Sequence, residues 1–398
     1  MNVSRDIQIV IIGAGLGGLC LAQGLRKKGI HADVYERDAM ISSVNQGYRI
    51  NLNADGLAAL RNSLSDKMYQ AIIDTASETG HKAELFNHKL ENIYRQEINN
   101  ESVPQRIAVN RQTLREILYY GIEDQIHFDK KLLRVEEGGG KATAYFADGT
   151  LVDADILIGA DGVNSALRKQ LLPDAEPIAS GYYCVYGKTA INALADHIPD
   201  ITQNVFTGVI TPGAETLVIG SYISKPEFLN AEDQLPGLKL PKPDNYLMCA
   251  LLSNFKELDL HSKDFRSYSH AELKDIIEES SAGWHPALQR FIASIATESI
   301  IPIMIRYSPR VIGWKNDRIT FIGDAIHTMP PAGGAGANTA FRDAELLSQA
   351  ISEALCNGRS IALALSDYNG QMLTYGYEAI QRSLKNASEI YRMPLITI

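Results

Sequence analysis

Residues 7–12, Ile-Gln-Ile-Val-Ile-Ile, form a β-branched run with little polar alternation. Such a run suits a strand buried on both faces of a parallel sheet. Gly13 to Gly18 interrupt it, helical apolar spacing covers 19–28, and Gly29 stands where a helix would stop. A second strand is expected over 31–35, which completes one βαβ unit. Further on, the pattern predicts a helix over 111–121 and strands over 126–135 and 141–146. Asp148-Gly149 is a hairpin-type turn, and a strand over 151–158 ends in Gly159-Ala160-Asp161-Gly162.

The segment 175–300 is richer in Thr, Tyr, Val and Ile, with turn residues at short intervals. It reads as mostly antiparallel strands, followed by a helix near 269–280; 239–244, with Pro241 and Pro243, reads as a loop. The buried-strand pattern returns at 318–322 and leads into Gly323-Asp324 and a glycine-rich loop. A long helix is expected from about Thr339 and a second over 362–391. The expected fold is therefore α/β (α+β overall). A Rossmann-like dinucleotide domain, 1–174 and 301–360, holds an inserted β-sheet domain, 175–300, and a C-terminal helix closes the chain over 361–398.

At 398 residues the chain is long enough for two or three units of roughly 100–200 residues each. The charge sum is 38 − 47 = −9, which argues against a general nucleic-acid binder, since that needs a basic surface. The four cysteines form no Cys-x-x-Cys pair, so neither a disulfide framework nor a zinc ribbon is expected. The apolar start runs straight into glycines without a cleavage site, and no stretch approaches the ~20 apolar residues of a membrane span. A soluble cytoplasmic protein with reduced thiols is expected.

Three motifs carry chemistry. In Gly13-Ala14-Gly15-Leu16-Gly17-Gly18, Gly13 permits the turn, Gly15 admits a pyrophosphate, and Gly18 lets the helix pack on the sheet. Leu16 lies within this turn and is counted with the cofactor-binding residues, and the free N–H groups of the helix that follows face the phosphate. Glu36 ends the second strand, where a carboxylate accepts ribose hydroxyls and repels a 2′-phosphate; the ligand here is FAD or NAD rather than NADP. The second motif is Gly159-Ala160-Asp161-Gly162-Val163-Asn164-Ser165, with Arg168 one turn on. The third runs from Gly323-Asp324-Ala325-Ile326-His327-Thr328-Met329-Pro330-Pro331 through Gly333-Gly334 to Gly336-Ala337-Asn338. Its Asp follows a buried strand at the carboxyl edge, where open α/β sheets bind ligands.

In this order the three motifs resemble those of the FAD-dependent aromatic hydroxylases, single-component flavin monooxygenases similar to para-hydroxybenzoate hydroxylase. The third resembles especially the loop of the tetracycline-inactivating monooxygenases. The resemblance implies that Gly13, Gly15, Gly18 and Glu36 hold the ADP half of FAD and that Asp324 binds the ribityl chain. It places Gly336, Ala337 and Asn338 along the isoalloxazine, with Pro331 and Gly334 flanking the ring, and Asp161 near the pyrophosphate. Asn110-Arg111-Gln112-Thr113-Leu114-Arg115 resembles the family's Arg-x-x-Leu helix start, whose arginine contacts FAD, and this falls on Arg111. The segment 46–52 resembles the stretch beside the flavin, where many relatives have a small residue in place of Arg49. Arg49 is read as a contact to flavin, substrate or NADPH, against the alternative of a surface ion pair. Arg37 is read as an adenine or phosphate contact, against a solvated arginine. His327 is expected to be structural, Trp284 to be core, and Tyr182 and Tyr183 to pack the sheet.

The resemblance further implies that NADPH (or NADH) acts as a transient co-substrate and reduces FAD. Reduced FAD then adds O₂ as a C4a-hydroperoxide, and one oxygen passes to an aromatic or polycyclic small molecule. The protein itself supplies no catalytic side chain in this reading, only placement and exclusion of water. A reductase or dehydrogenase of the same fold without oxygen insertion is the alternative reading, and a non-catalytic flavin-binding protein is a third. No nucleic acid, metal or integral membrane segment enters, and a monomer or homodimer is expected.

Overall fold

A computed structural model of the chain describes residues 7–41, 48–78, 80–97, 106–241, 243–254, 264–314 and 317–398. Gln46 and Gly47 of the expected flavin-side segment, and Lys242 of the expected proline loop, lie outside the described residues.

The first βαβ unit is β1 (Ile9–Ile12), α1 (Leu16–Lys27) and β2 (Asp33–Tyr35). β3 (Arg49–Leu52), α2 (Ala54–Ser63), α3 (Asp66–Asp74), β4 (Lys82–Asn87) and β5 (Asn92–Glu97) follow. β6 (Ile107–Asn110) runs into α4 (Arg111–Tyr119), and β7 (Ile126–His127), β8 (Leu132–Gly138), β9 (Lys141–Phe146), β10 (Leu151–Ala154), β11 (Ile156–Gly159) and α5 (Ala166–Leu171) complete the first half. Then come β12 (Ile178–Ala190), β13 (Asn204–Ile210), β14 (Thr216–Tyr222), α6 (Asn230–Gln234) and β15 (Tyr246–Ser253). The chain ends with α7 (His270–Ser280), α8 (Pro286–Ala293), β16 (Ile301–Tyr307), β17 (Ile319–Phe321), α9 (Ala335–Asn357) and α10 (Ile361–Tyr391).

Four sheets result. A parallel sheet has the order β17-β11-β1-β2-β7. Its central strand β1 is buried along its whole length, as its β-branched composition requires. Beside it stand the antiparallel sheet β10-β9-β8 and the short pair β3-β6. The largest sheet has seven strands in the order β16-β12-β15-β14-β13-β4-β5. Its pairs are antiparallel except β13 with β4. This sheet reaches outside 175–300, because β4, β5 and β16 join it from 82–97 and 301–307.

Three sequence expectations are corrected. The strand expected over 151–158 breaks at Asp155, whose carboxylate accepts Gln8 N–H (3.0 Å) while its own N–H donates to Gln8 O (2.8 Å). β10 therefore pairs with β9, and β11 pairs with β1. The strand expected over 126–135 splits at Asp129, which has a left-handed φ of 57°. The helix expected from Thr339 begins four residues earlier, just after Gly334 at φ 67°.

Helix α10 ties the parts together. Leu365, Tyr368 and Met372 enter the core of the parallel sheet, and Ile380 and Leu384 pack with Met329 and Ala335 of the glycine loop. Ala387 and Tyr391 then pack with Tyr182, Cys184 and Ile305 of the seven-stranded sheet. The helix stops at Tyr391, because Arg392 takes a left-handed φ of 55°. Trp284 is buried in the core beneath α7 and α8, and Tyr183 packs on Phe265, so these aromatics serve packing as expected.

Candidate functional site

A cavity of about 1110 Å³ lies between the carboxyl edge of the parallel sheet and the seven-stranded sheet. On one side it is lined by Gly15, Leu16 and Gly18 after β1 and by Asp324, Pro331, Gly334, Gly336, Ala337 and Asn338 after β17. On the other side stand Val218, Gly220, Met248, Ala250 and Ile303 of the large sheet. Arg49 and Arg111 also line it, whereas Gly13, Glu36, Arg37 and Asp161 do not.

Two helix N-termini without a side-chain cap open onto this cavity. α1 starts after Gly15 and α9 after Gly334, with no acidic residue in either first turn. The first N–H groups of a helix have no intrahelical partner, and the helix dipole makes that end positive. Both ends thus present unused donors and positive potential to one space. A left-handed residue at Gly334 is what turns the chain into α9.

The four residues that do not line the cavity fall into place around it. Gly13, at φ 110°, passes directly beneath Ala160, and its N–H donates to Tyr35 O (2.8 Å). Glu36 is buried, accepting from Ala14 N–H (2.7 Å) and Asp38 N–H (3.0 Å). Arg115 lies 3.9 Å from Glu36 and donates to Ala14 O (3.0 Å) and Ile41 O (2.7 Å), so a buried ion pair clamps the glycine turn. Arg37 is exposed. Asp161 accepts from Ala166 N–H (2.8 Å) with one oxygen, and its other oxygen is buried without a partner. Burial raises the Asp161 pKa above the usual carboxylate range.

Arg168, fully buried, donates to Val163 O (2.8 Å) and to Ala325 O (2.9 Å), joining the second motif to the third. Asn338 uses its whole side chain as a clamp. It donates to Asn51 O (3.0 Å) and Gly334 O (2.7 Å) and accepts from Asn53 N–H (3.0 Å). Its amide side chain is therefore committed to the protein. Arg111 begins α4, donates its N–H to Tyr48 O (2.9 Å) and sits over the Tyr48 ring. Tyr48 in turn stacks on Tyr186 of β12, with centroids 5.3 Å apart. Asp324 keeps accessible surface, but it lines the cavity, and the surrounding protein still desolvates its carboxyl and raises its pKa.

Behind the loop lies a polar hub centred on Asp343, which is fully buried. It accepts from Gly323 N–H (2.7 Å) and from Tyr375 OH (2.6 Å), and bonds His327 Nε2 (2.6 Å). His327 does not line the cavity, in keeping with a structural role. Burial pushes its pKa down, but the Asp343 carboxylate, with Asp324 further off, overrides this and leaves it raised. A raised histidine pKa stabilises the fold below the unfolded value, and that contribution is lost as pH rises through the folded value. The stability gap between wild type and His327→Gln, read by urea unfolding, is therefore expected to be largest near pH 6 and to shrink towards pH 9. A gap that grows with pH would refute this.

Sequence reading missed Arg115, Asp343 and Tyr375. Arg115 sat inside the segment compared with the family pattern, four residues after Arg111; the other two look like ordinary helix positions.

The residues fit FAD. Two uncapped helix ends suit a pyrophosphate and the electron-rich edge of a flavin, and Asp324 stands where hydroxyl donors would satisfy it. Residues 6–180 and 289–383 match the FAD binding domain family. A dual O-methyltransferase/FAD-dependent monooxygenase of Cercospora beticola is 31% identical over 94% of this chain and 45% of its own length. The chain thus spans a little under half of that relative. The 6-methylsalicylate 1-monooxygenase of Aspergillus terreus is 25% identical over 94% of this chain and 80% of its own. A crystal structure from Photorhabdus luminescens, provisionally assigned as a FAD-containing monooxygenase, superposes with a TM-score of 0.82 at 30% identity, covering 98% of this chain and 100% of that one. The chain belongs to the FAD binding domain family, and its cofactor is FAD. No helix among the described residues is long and apolar enough to cross a membrane.

Proposed function

We propose that this protein is an NAD(P)H-consuming, FAD-dependent monooxygenase that inserts one atom of O₂ into an aromatic or polycyclic small molecule. The observation that carries this is the pair of uncapped helix N-termini facing one cavity whose opposite wall is an apolar sheet. FAD, once reduced by NAD(P)H, supplies the activation of O₂.

The chain's own residues bind, orient and keep water out. The N–H groups at the start of α1, from Leu16 on, take the pyrophosphate, and Gly15, with open space where a side chain would stand, lets it approach. Asp324 would accept ribityl hydroxyls, and Gly336, Ala337 and Asn338, with Pro331 and Gly334, would hold the ring. Gly13, Gly18 and Glu36 shape the turn that places α1, and Asp161, Arg111 and Arg37 serve the phosphate and adenine end. Val218, Met248, Ala250 and Ile303 form a dry roof over the space left for substrate. Aromatic chemistry is favoured by the relative named for 6-methylsalicylate, which this chain covers over most of its length. The four free thiols suit a reducing, cytoplasmic setting.

Asp324→Ala is expected to weaken FAD binding roughly ten- to a hundredfold, the loss for a hydrogen bond to a charged group. A purified variant with full flavin occupancy would remove Asp324 from the site. The reaction itself is tested with ¹⁸O₂: aromatic-stimulated NAD(P)H oxidation should yield labelled product. Consumption of NAD(P)H with a reduced, unlabelled product would favour the reductase.

A further inference from the structure

We infer that Arg49 is the specificity-determining residue that recognises an anionic group, a carboxylate or acidic phenol, on the aromatic substrate. The inference rests on the reading that the cavity holds FAD and an aromatic molecule.

Arg49 begins β3, opposite Asn110 of β6, but its side chain reaches the seven-stranded sheet. Nη2 donates to Val205 O of β13 in a long contact of 3.3 Å. The guanidinium lies over β14 at Gly220, where a Cβ would come within 2.8 Å of Nη1 and 3.2 Å of Cζ. Glycine at 220 thus leaves the space in which the planar group rests against the sheet. Arg49 is half-buried, and it lines the cavity.

Its charge is not matched. Among the described residues no carboxylate lies within ion-pair distance of it, and its Nε is buried with no acceptor. Asp324, the acidic lining residue among those described, sits on the loop after β17 and not on this wall. Burial pushes the Arg49 pKa down to about 10, opposed by the Tyr246 phenol, so the group remains charged at neutral pH. A desolvated cation without a counter-charge is unfavourable, and the deficit is removed when a ligand brings the anion. The planar fork of donors matches a carboxylate in two parallel hydrogen bonds.

The surroundings define the rest of the ligand. The Tyr48–Tyr186 stack, Met248 and Val218 line the same cavity and offer flat or apolar faces. Four further cations line the cavity: Arg111 sits over Tyr48, Arg306 donates to Asn164 (3.0 Å), Arg106 is exposed, and Lys225 stands on the loop after β14. Among these five described cations Arg49 is the one with a buried nitrogen that lacks an acceptor. An apolar slot with a fixed, unmatched guanidinium complements a planar ring with one acidic substituent. A flavin anion is a second source of the same charge. The contacts of Arg49 to β13 and β14, away from the glycine loop, favour the substrate.

The test titrates FAD-loaded protein at pH 7 with salicylate and with neutral salicylamide, followed by flavin absorbance. Wild type should prefer salicylate. Arg49→Gln should weaken salicylate roughly ten- to a hundredfold and leave salicylamide unchanged. Arg49→Lys, which keeps the charge without the fork, should fall between; if Arg49→Gln does not fold, this variant carries the test. Equal weakening of both probes, no change in either, or a shifted flavin midpoint potential with unchanged probe binding would each overturn the assignment. FAD-loaded wild type without a salicylate preference overturns it alone, whereas wild type that takes up no FAD overturns the functional reading as well.

Discussion

Gly18→Ala is expected to lose bound FAD and to lower the unfolding free energy by about 3 kcal/mol, at the upper end of overpacking effects. A Cβ on Gly18 would stand 2.0 Å from Gly13 O and 3.2 Å from its carbonyl carbon. Both obstacles are backbone, so no side chain can rotate away. Gly13 is itself pinned, because Ala160 lies directly over it. Relief therefore requires α1 to lift off the turn, which moves the N-terminus that faces the cavity. Gly15→Ala is the control. A Cβ there meets nothing within 4 Å, and the backbone is extended, at φ −72° and ψ 179°. Its stability should change little, while its flavin content falls. Urea unfolding and flavin absorbance per mole of protein measure both. Full flavin content in Gly18→Ala would show that the position of α1 does not govern the site.

The second large effect is expected at Asp343. Asp343→Ala removes the acceptor for Gly323 N–H, His327 and Tyr375 OH together. Loss of one partner from a buried charged network typically destabilises by about 3–5 kcal/mol, because the remaining groups keep their desolvation penalty. The consequence should be local as well as global. Gly323 begins the turn that carries Asp324, and Tyr375 belongs to α10, so the hub holds the glycine loop against the C-terminal helix. Thermal unfolding should fall and flavin content should fall with it. Asp343→Asn, which keeps the shape and part of the bonding, should lie between. A variant Asp343→Ala with wild-type stability would mean that the three donors find other acceptors.

These effects differ in how far they could be read in advance. The clash at Gly18 is implicit in the sequence, since a glycine at that place in a strand–turn–helix unit already signals close packing. The Asp343 hub is not implicit. Nothing in a helical stretch such as Asp343-Ala344-Glu345 marks the first carboxylate as fully buried and the second as half-buried. That distinction depends on α10, more than thirty residues later, bringing Tyr375 against it.

The same division runs through the molecule. Elements set by short-range rules were legible: the buried run of β1, the glycine turn, Asp324 at the end of β17, the two long helices. Their signals are periodicity and backbone conformation, which depend on neighbours a few residues away. Eleven of the proposed site residues meet at one cavity: nine follow β1 or β17 of the parallel sheet, and Arg49 and Arg111 come from the pair β3-β6. What the tertiary structure alone decided was pairing over long distances. β4, β5 and β16 join the large sheet from outside its expected segment, and the chain at 151–158 divides between two sheets. Strand register and partner choice arise from side chains that meet only after folding, so a single strand's sequence leaves them open. Arg49 shows the limit most plainly. Its type and position were visible from the start, but the absence of a described counter-ion beside it belongs to the packed chain.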